Sequence, residues 1–318
     1  MLVGRLLWGA AWAGIYLGAT TVIFDVSDNT NRGFFVGRLQ MWFFIGVGIS
    51  SLAGGLLFDA VGYAPTFMLS AIAIFTAATL WLLFLPETRR NKPEHTPVSD
   101  VETGDSTTTN SNAKRYPVAP LVVAILLHGL NWLVFIGAAF ALFPVLLEER
   151  IGLEVVIAGA VAIQLISFTG MLSAFNTVIS LLSSPLSGWL SDRTGNRWRL
   201  VVVVLALGVV SLSLMAAGEG IVVVLASMLN AIVNSVLITQ LTAVVGDYTH
   251  HNAAGSKRQG HILGIMNTVG DIGGTAGPIL AFAALPVIGL AGIFTLSALS
   301  LAIALPATMW IAWREQYT

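Results

Sequence analysis

GWLSDRTGNRWR, residues 188–199, is a short polar island between two apolar runs. The run before it, Val155–Leu190, is dominated by apolar and small residues, and the run after it, about 198–218, is apolar again. The island places Arg193, Arg197 and Arg199 in one brief reversal. Two membrane crossings joined on the basic side of a bilayer is the reading this pattern supports.

The rest of the chain extends that reading. Of 318 residues, 56% are apolar and 10% charged, against about 45–50% and about 25% in an average soluble domain. Disorder is excluded, and a soluble globular enzyme does not fit. Lys and Arg number 15 against 16 Asp and Glu, so the basic excess of a nucleic-acid binder is missing. The absence of cysteine removes disulfides, thiol nucleophiles and thiolate metal sites.

A hydrocarbon core about 30 Å thick takes about 20 apolar helical residues per crossing. Nine stretches qualify, at about 2–24, 35–58, 64–85, 119–147, 162–190, 198–218, 221–245, 260–284 and 288–312. They are read as helices because backbone polar groups in lipid must pair within the segment. The fifth is the least regular. Val155–Ile163 exceeds one crossing and is expected to lie along the interface or to extend a tilted helix. The first run could be mistaken for a secretory signal, but it is too long and lacks an A-x-A site before a polar start.

With an external N-terminus, nine crossings leave the C-terminus inside. Thirteen of fifteen basic residues then fall on the inner side: Arg32, Arg38, Arg89, Arg90, Lys92, Lys114, Arg115, Arg193, Arg197, Arg199, Lys257, Arg258 and Arg314. That is the bias of a multi-pass protein of the cell membrane with a cytoplasmic C-terminus. Trp8, Trp42, Trp81, Trp189, Trp198, Trp310 and Trp313 lie towards span ends, where interfacial anchors are expected. Pro86–Pro120 is rich in Thr, Ser, Pro, Asn and charge, and reads as a cytoplasmic linker. The expected domains are a partial transmembrane bundle of three helices (1–85), the linker (86–118) and a six-helix bundle (119–318).

Sliding the chain by 222 residues lays Asp25 on Asp247, Gly33 on Gly255, Gly48 on Gly270 and Gly55 on Gly277. The topological contexts agree, so spans 1–3 and 7–9 are expected to be repeats. The first three spans then match the second half of a six-span unit.

The loop at 188–199 resembles the signature glycine–x–leucine–small–Asp–Arg–x–glycine–x–basic of the major facilitator superfamily, carried here by Gly188, Asp192, Arg193, Gly195 and Arg197. Gly188 allows close helix approach, Gly195 a tight reversal, and Asp192 a seat near a helix N-terminus or an arginine. The arginines are expected to bind the inner membrane surface.

Two further matches accompany it. Arg5-Leu-Leu-Trp8-Gly9 is similar to the family's fourth-helix motif, with Trp8 where the motif has Gln. The resemblance implies a buried arginine associated with proton coupling; a snorkelling interfacial Arg5 is the alternative. Gly46, Gly48, Gly54 and Gly55 look like a degenerate fifth-helix motif of proton-driven antiporters. Gly270, Gly273, Gly274, Gly277 and Pro278 resemble it in the mirrored eleventh helix. Such surfaces would let two bundles rock, or simply pack helices. The resemblance covers helices four to twelve of a twelve-helix fold, so the implied fold is all-α and integral to the membrane, with nine transmembrane helices.

Polar residues within the spans are the candidates for a cavity. Asp271 lies mid-span, where an isolated charge costs at least about 2.5–3.5 kcal/mol, with Asn267 one turn earlier on the same face. Span 4 carries His128, Asn131 and Trp132 on one face; span 7 carries Asn230 and Asn234, with Gln240 further inward. Span 5 offers Gln164 and Asn176. Amides beside an aromatic suit an uncharged or amphipathic solute, though each alone also serves as interhelical glue.

No zinc-protease, phosphate-loop or serine-elbow motif is present. No cofactor is expected; a proton or other ion gradient would supply the energy. The expected function is proton-coupled export of small organic solutes, with the lipid bilayer and the solute as partners and no nucleic acid. The alternatives are an uptake symporter for a sugar or organic acid, and a non-transporting fragment. On the latter, the chain alone would not transport unless a longer gene product or a second chain supplied the first three helices.

Overall fold

A computed structural model describes residues 2–28, 30–84, 118–152, 154–157, 161–250 and 253–314. Helices dominate these residues: α1 (Leu2–Val26), α2 (Arg32–Val61), α3 (Tyr63–Phe84), α4 (Val118–Ile151), α5 (Leu165–Thr194), α6 (Arg197–Ala217) and α7 (Ile221–His250). The last helical stretch, Ala253–Arg314, is 62 residues long. At about 1.5 Å per residue it is roughly three bilayer cores long. Gly289, at φ 67°, breaks it into α8 (253–288) and α9 (290–314), two crossings. The described residues therefore hold nine helices at the nine expected places. Their ends overrun the apolar stretches, as for α2, because helical hydrogen bonding continues past the hydrocarbon edge.

Six of the described stretches are long and apolar enough to cross a membrane, the last of them containing both α8 and α9. The described side chains of α1 form a shorter apolar stretch, Ala11–Val26. Ser183, Ser184, Ser187 and Ser191 each return their hydroxyl to a carbonyl three or four residues back, which satisfies them without water.

The segment after α4 departs from expectation. Glu154–Ile157 and Val161–Gln164 pair antiparallel as a two-stranded hairpin, Glu154 opposite Gln164. Val155, Val156, Ile157, Val161 and Ile163 are β-branched and suit a pleated strand. Gly152 at φ 99° ends α4 before them. Gln164 accordingly sits on a strand, outside the helix in which it was expected. The expected linker, 86–118, lies outside the described residues except for Val118.

The core is formed by α4, α6, α7 and α9, through Leu142, Leu146, Leu205, Leu212, Leu237, Leu241 and Phe294. Trp198 belongs to it. Its side chain is 1% exposed and its indole N–H donates to the Tyr248 hydroxyl. It is a core residue and not an interfacial anchor. Trp42, Trp81, Trp189, Trp310 and Trp313 are exposed towards helix ends. α3 is apolar all round and exposed along its length, as a helix facing lipid should be.

Candidate functional site

The polar island folds into a clasp. Asn196 caps α6 by accepting the Arg199 amide, and Gly195 turns the chain at φ 70°. This turn aims Asp192, at the end of α5, at the start of α2. Its two carboxylate oxygens accept the backbone N–H groups of Gly33 (3.0 Å) and Phe34 (2.7 Å). These are amides of the first turn of α2, which lack partners within their own helix and carry the positive end of its dipole. Arg197 then bridges two carboxylates: its Nη1 lies 2.7 Å from Asp192 and its Nε bonds Asp247 near the end of α7. Arg197 is buried rather than spread on a membrane surface. Arg193 does face outwards, stacked on Trp189 at 5.0 Å.

From the other side, Arg32 reaches Asp247 at 2.7 Å with its guanidinium 5.6 Å from the Phe24 ring. It is fully buried. Gly246 makes room: a Cβ there would fall 2.7 Å from both Arg32 Cδ and Phe24 Cζ. Asp28 sets the start of α2 by accepting from the Thr30 amide and hydroxyl, which hold its carboxyl below the usual carboxylate range. Arg32, Gly246 and Phe24 were not singled out from sequence. Asp247 stood out only as the repeat partner of Asp25, and Arg32 only as an inner-side charge.

α2 and α5 touch backbone to backbone at the clasp. A Cβ on Gly188 would overlap the Gly33 carbonyl, and one on Gly37 would lie 2.5 Å from the Ser184 carbonyl oxygen. Fifteen residues beyond Gly33, Gly48 meets only the Thr177 methyl at 4.0 Å, and its neighbour Ile49 is 63% exposed. Backbone contact at the clasp thus gives way to side-chain contact at Gly48. The surroundings of Gly55 and the side chain of Arg5, which sits on the first turn of α1, lie outside the described residues.

The glycine-rich face of α8 packs on α4, not on α1–α3. Gly273 sits against the Gly129 carbonyl, and a Cβ on Gly277 would fall 2.5 Å from the Leu133 carbonyl oxygen and 2.6 Å from the Gly137 Cα. Gly270 and Gly274 face His128 and Trp132. The contact falls where α4 widens into a π-helical stretch, Trp132–Ala139. Pro278 lies beside Gly137 there. Any hinging along this seam would occur within the last six helices.

His128, Asn131 and Trp132 do not share one environment. Asn131 turns to α7 and donates to Asn234 at 2.9 Å. His128 and Trp132 turn to α8, their rings 5.8 Å apart. His128 and Asn131 are each 1% exposed. Both His128 nitrogens, Asn131 Oδ1, Trp132 Nε1 and Asn230 Oδ1 are buried without a hydrogen-bond partner among the described residues. Asn230 meets only the Met215 sulfur, at 3.9 Å, while Asn176 bonds Ser227 and Gln240 bonds Ser187, both at 3.4 Å. Unsatisfied amides and an imidazole at this depth are costly unless something else pairs with them. Asp271 is exposed on α8, with Asn267 half-buried one turn away.

Nine apolar helices joined by glycine seams, buried amides and one charged clasp define an integral, multi-pass membrane protein of the helical-bundle type. The chain belongs to the Major Facilitator Superfamily, whose family model matches residues 1–178 and again residues 166–317. Among curated proteins it is 26% identical over 299 residues to the multidrug resistance protein MdtG of Salmonella choleraesuis (strain SC-B67), covering 93% of this chain and 68% of that protein. It is 24% identical to MdtG of Rahnella sp. (strain Y9602), covering 94% and 67%. Among solved structures, the human organic anion transporter MFSD10 (TETRAN) superposes with a TM-score of 0.65 at 18% identity, covering 91% of this chain and 66% of that one. A bacterial homologue of the iron transporter ferroportin, in an outward-facing state, gives 0.53 at 15% identity, covering 92% and 66%. The chain thus spans about two thirds of the length of these relatives.

Proposed function

We propose that the chain acts in the proton-driven export of small organic compounds across the cell membrane, with the clasp on the cytoplasmic side and the first residue outside. The observation that carries this reading is the clasp between α2 and α5, tied by ion pairs and backbone contact at the basic end and more loosely packed at Gly48. It is the form expected of a transporter closed to the inside. Buried charge pairs suit a reversible gate, because the net gain of a complete pair is small against its desolvation while loss of one partner is strongly destabilising. The MdtG relatives, named for multidrug resistance, favour export of varied solutes.

In the proposed cycle, protons enter from outside while the clasp is shut. Asp271 and His128 are the candidate proton carriers within the span, and the amides of Asn131, Asn230 and Asn234 the candidate solute contacts. Opening requires Asp192 to leave the α2 amides and Asp247 to release Arg32. Gradient energy replaces any cofactor in this scheme, and no step is enzymatic.

The test is flux in everted membrane vesicles from cells expressing the chain, with a fluorescent dye as solute. Dye should accumulate when the lumen is acidified and escape when a protonophore collapses the gradient. Accumulation indifferent to the gradient would refute coupling, and dye leaving the acidified lumen against its own gradient would reverse the direction.

A further inference from the structure

We propose that the cavity between α5 and α7, at the end of both helices away from the clasp, holds the acyl chain of a membrane lipid. The cavity measures about 450 Å³ and is walled by Phe168, Met171, Leu172 and Phe175 of α5 and by Val224 and Met228 of α7. Its size is that of a ligand site, about 300–1,000 Å³. Among the described residues its wall carries no polar side chain, whereas solute sites pair an apolar wall with a few placed polar groups. An apolar cavity of this kind stays free of water. The solvent at this depth is hydrocarbon, and a hydrocarbon chain restores the contacts that an empty wall forfeits.

Depth and continuity both point to a lipid tail. Phe168 and Val224 lie near the starts of their helices, and Val178 is the deepest wall residue of α5. From Phe168 to Val178 the wall advances ten residues, about 15 Å at about 1.5 Å per residue. That is half of a hydrocarbon core about 30 Å thick, the depth of one leaflet. Met171, Phe175 and Val178 are more than half exposed, and Leu182 and Leu186 continue the same exposed face of α5 towards the clasp. The face ends at Trp189, with the Arg193 guanidinium stacked on it at 5.0 Å, an aromatic and a cation at the level where the headgroups of the other leaflet begin. The cavity is thus a recess in a surface that already faces the bilayer. Met171 and Met228 are unbranched and flexible, so the wall adapts to a chain that bends. Nearer the clasp, Ser180 donates to the Ala231 carbonyl at 3.2 Å and ties α5 to α7 directly. A lipid chain in the recess carries that contact on towards the ends of both helices.

The experiment is photolabelling of the full chain in phosphatidylcholine nanodiscs, without gradient or solute. The probe is a phosphatidylcholine with a diazirine on one acyl chain, in two forms, placed near the headgroup or near the chain end. After irradiation and proteolysis, mass spectrometry maps the adducts. The first form should mark Phe168 and Val224 and the second Val178 and Met228, each about tenfold or more above Phe75, which lies exposed on α3. Ala174→Phe fills the cavity from its own wall and should lower both signals to the Phe75 level. Ala78→Phe, on the exposed surface of α3, should leave them unchanged. Thermal melting of each variant checks that it folds. Labelling no greater than at Phe75, labelling indifferent to Ala174→Phe, or the reverse order of depths overturns the proposal. So does displacement of the label by rhodamine 123 at a concentration that leaves Phe75 labelling unchanged, since the cavity would then be a solute subsite. No flux is measured, so the outcome stands apart from the vesicle test.

Discussion

Asp192 does two jobs at once, satisfying two α2 amides and neutralising Arg197. Asp192→Asn keeps the size but loses the charge that both interactions use, and a charge-assisted hydrogen bond is worth about 1.5–3 kcal/mol. The expected outcome is a loosened clasp. The chain has no cysteine, so spin labels can be placed without background. Labels at Arg38→Cys and Thr194→Cys, both exposed near the clasp, should give a short, narrow distance distribution by double electron–electron resonance. Adding Asp192→Asn should broaden and lengthen it; an unchanged distribution would show that the contact does not hold the helices. The alternatives for Asp192, a helix N-terminus or an arginine, could be read from a loop rich in both cues. The structure shows both together. Arg32 could not be read, because its partner Asp247 lies 215 residues away and nothing local marks the pairing. Trp198 misled for the opposite reason, since its place at a span end says nothing of the Tyr248 hydroxyl waiting behind it.

Helices pack here by the removal of side chains. At the α4–α8 seam, Gly277 brings two backbones together, and a larger residue has only backbone to push against. Gly277→Val should destabilise the protein by about 1–3 kcal/mol, the usual penalty of overpacking. That is measurable as a lowered unfolding midpoint in detergent, and an unshifted midpoint would mean that the seam opens at no cost. The glycine spacing in α8 was legible as a packing surface, but the partner helix was not. Small residues say that something comes close without saying what. The same limit applied to α2, where Gly33 and Gly37 make the contact with α5 while Gly48 stands nearly open. The hairpin after α4 was hidden because a run of apolar residues has no period that separates a strand from a buried helix.

Nine crossings were legible because a bilayer imposes a length and an apolar composition on each one, independently of how they pack. The relation between α1–α3 and α4–α9 was not, since it depends on one small set of ion pairs between residues far apart in the chain. In the scheme proposed above, that relation alternates: opening at the clasp accompanies closure at the far end of α2 and α5. Two label pairs report on it, Arg38→Cys with Thr194→Cys at the clasp and Ile49→Cys with Phe175→Cys farther along the same helices, where both side chains are more than half exposed. Measured in vesicles with and without a proton gradient, the two distances should change in opposite senses, the clasp pair lengthening as the far pair shortens. Distances that stay fixed, or that lengthen and shorten together, would contradict a gate that works by rocking these helices.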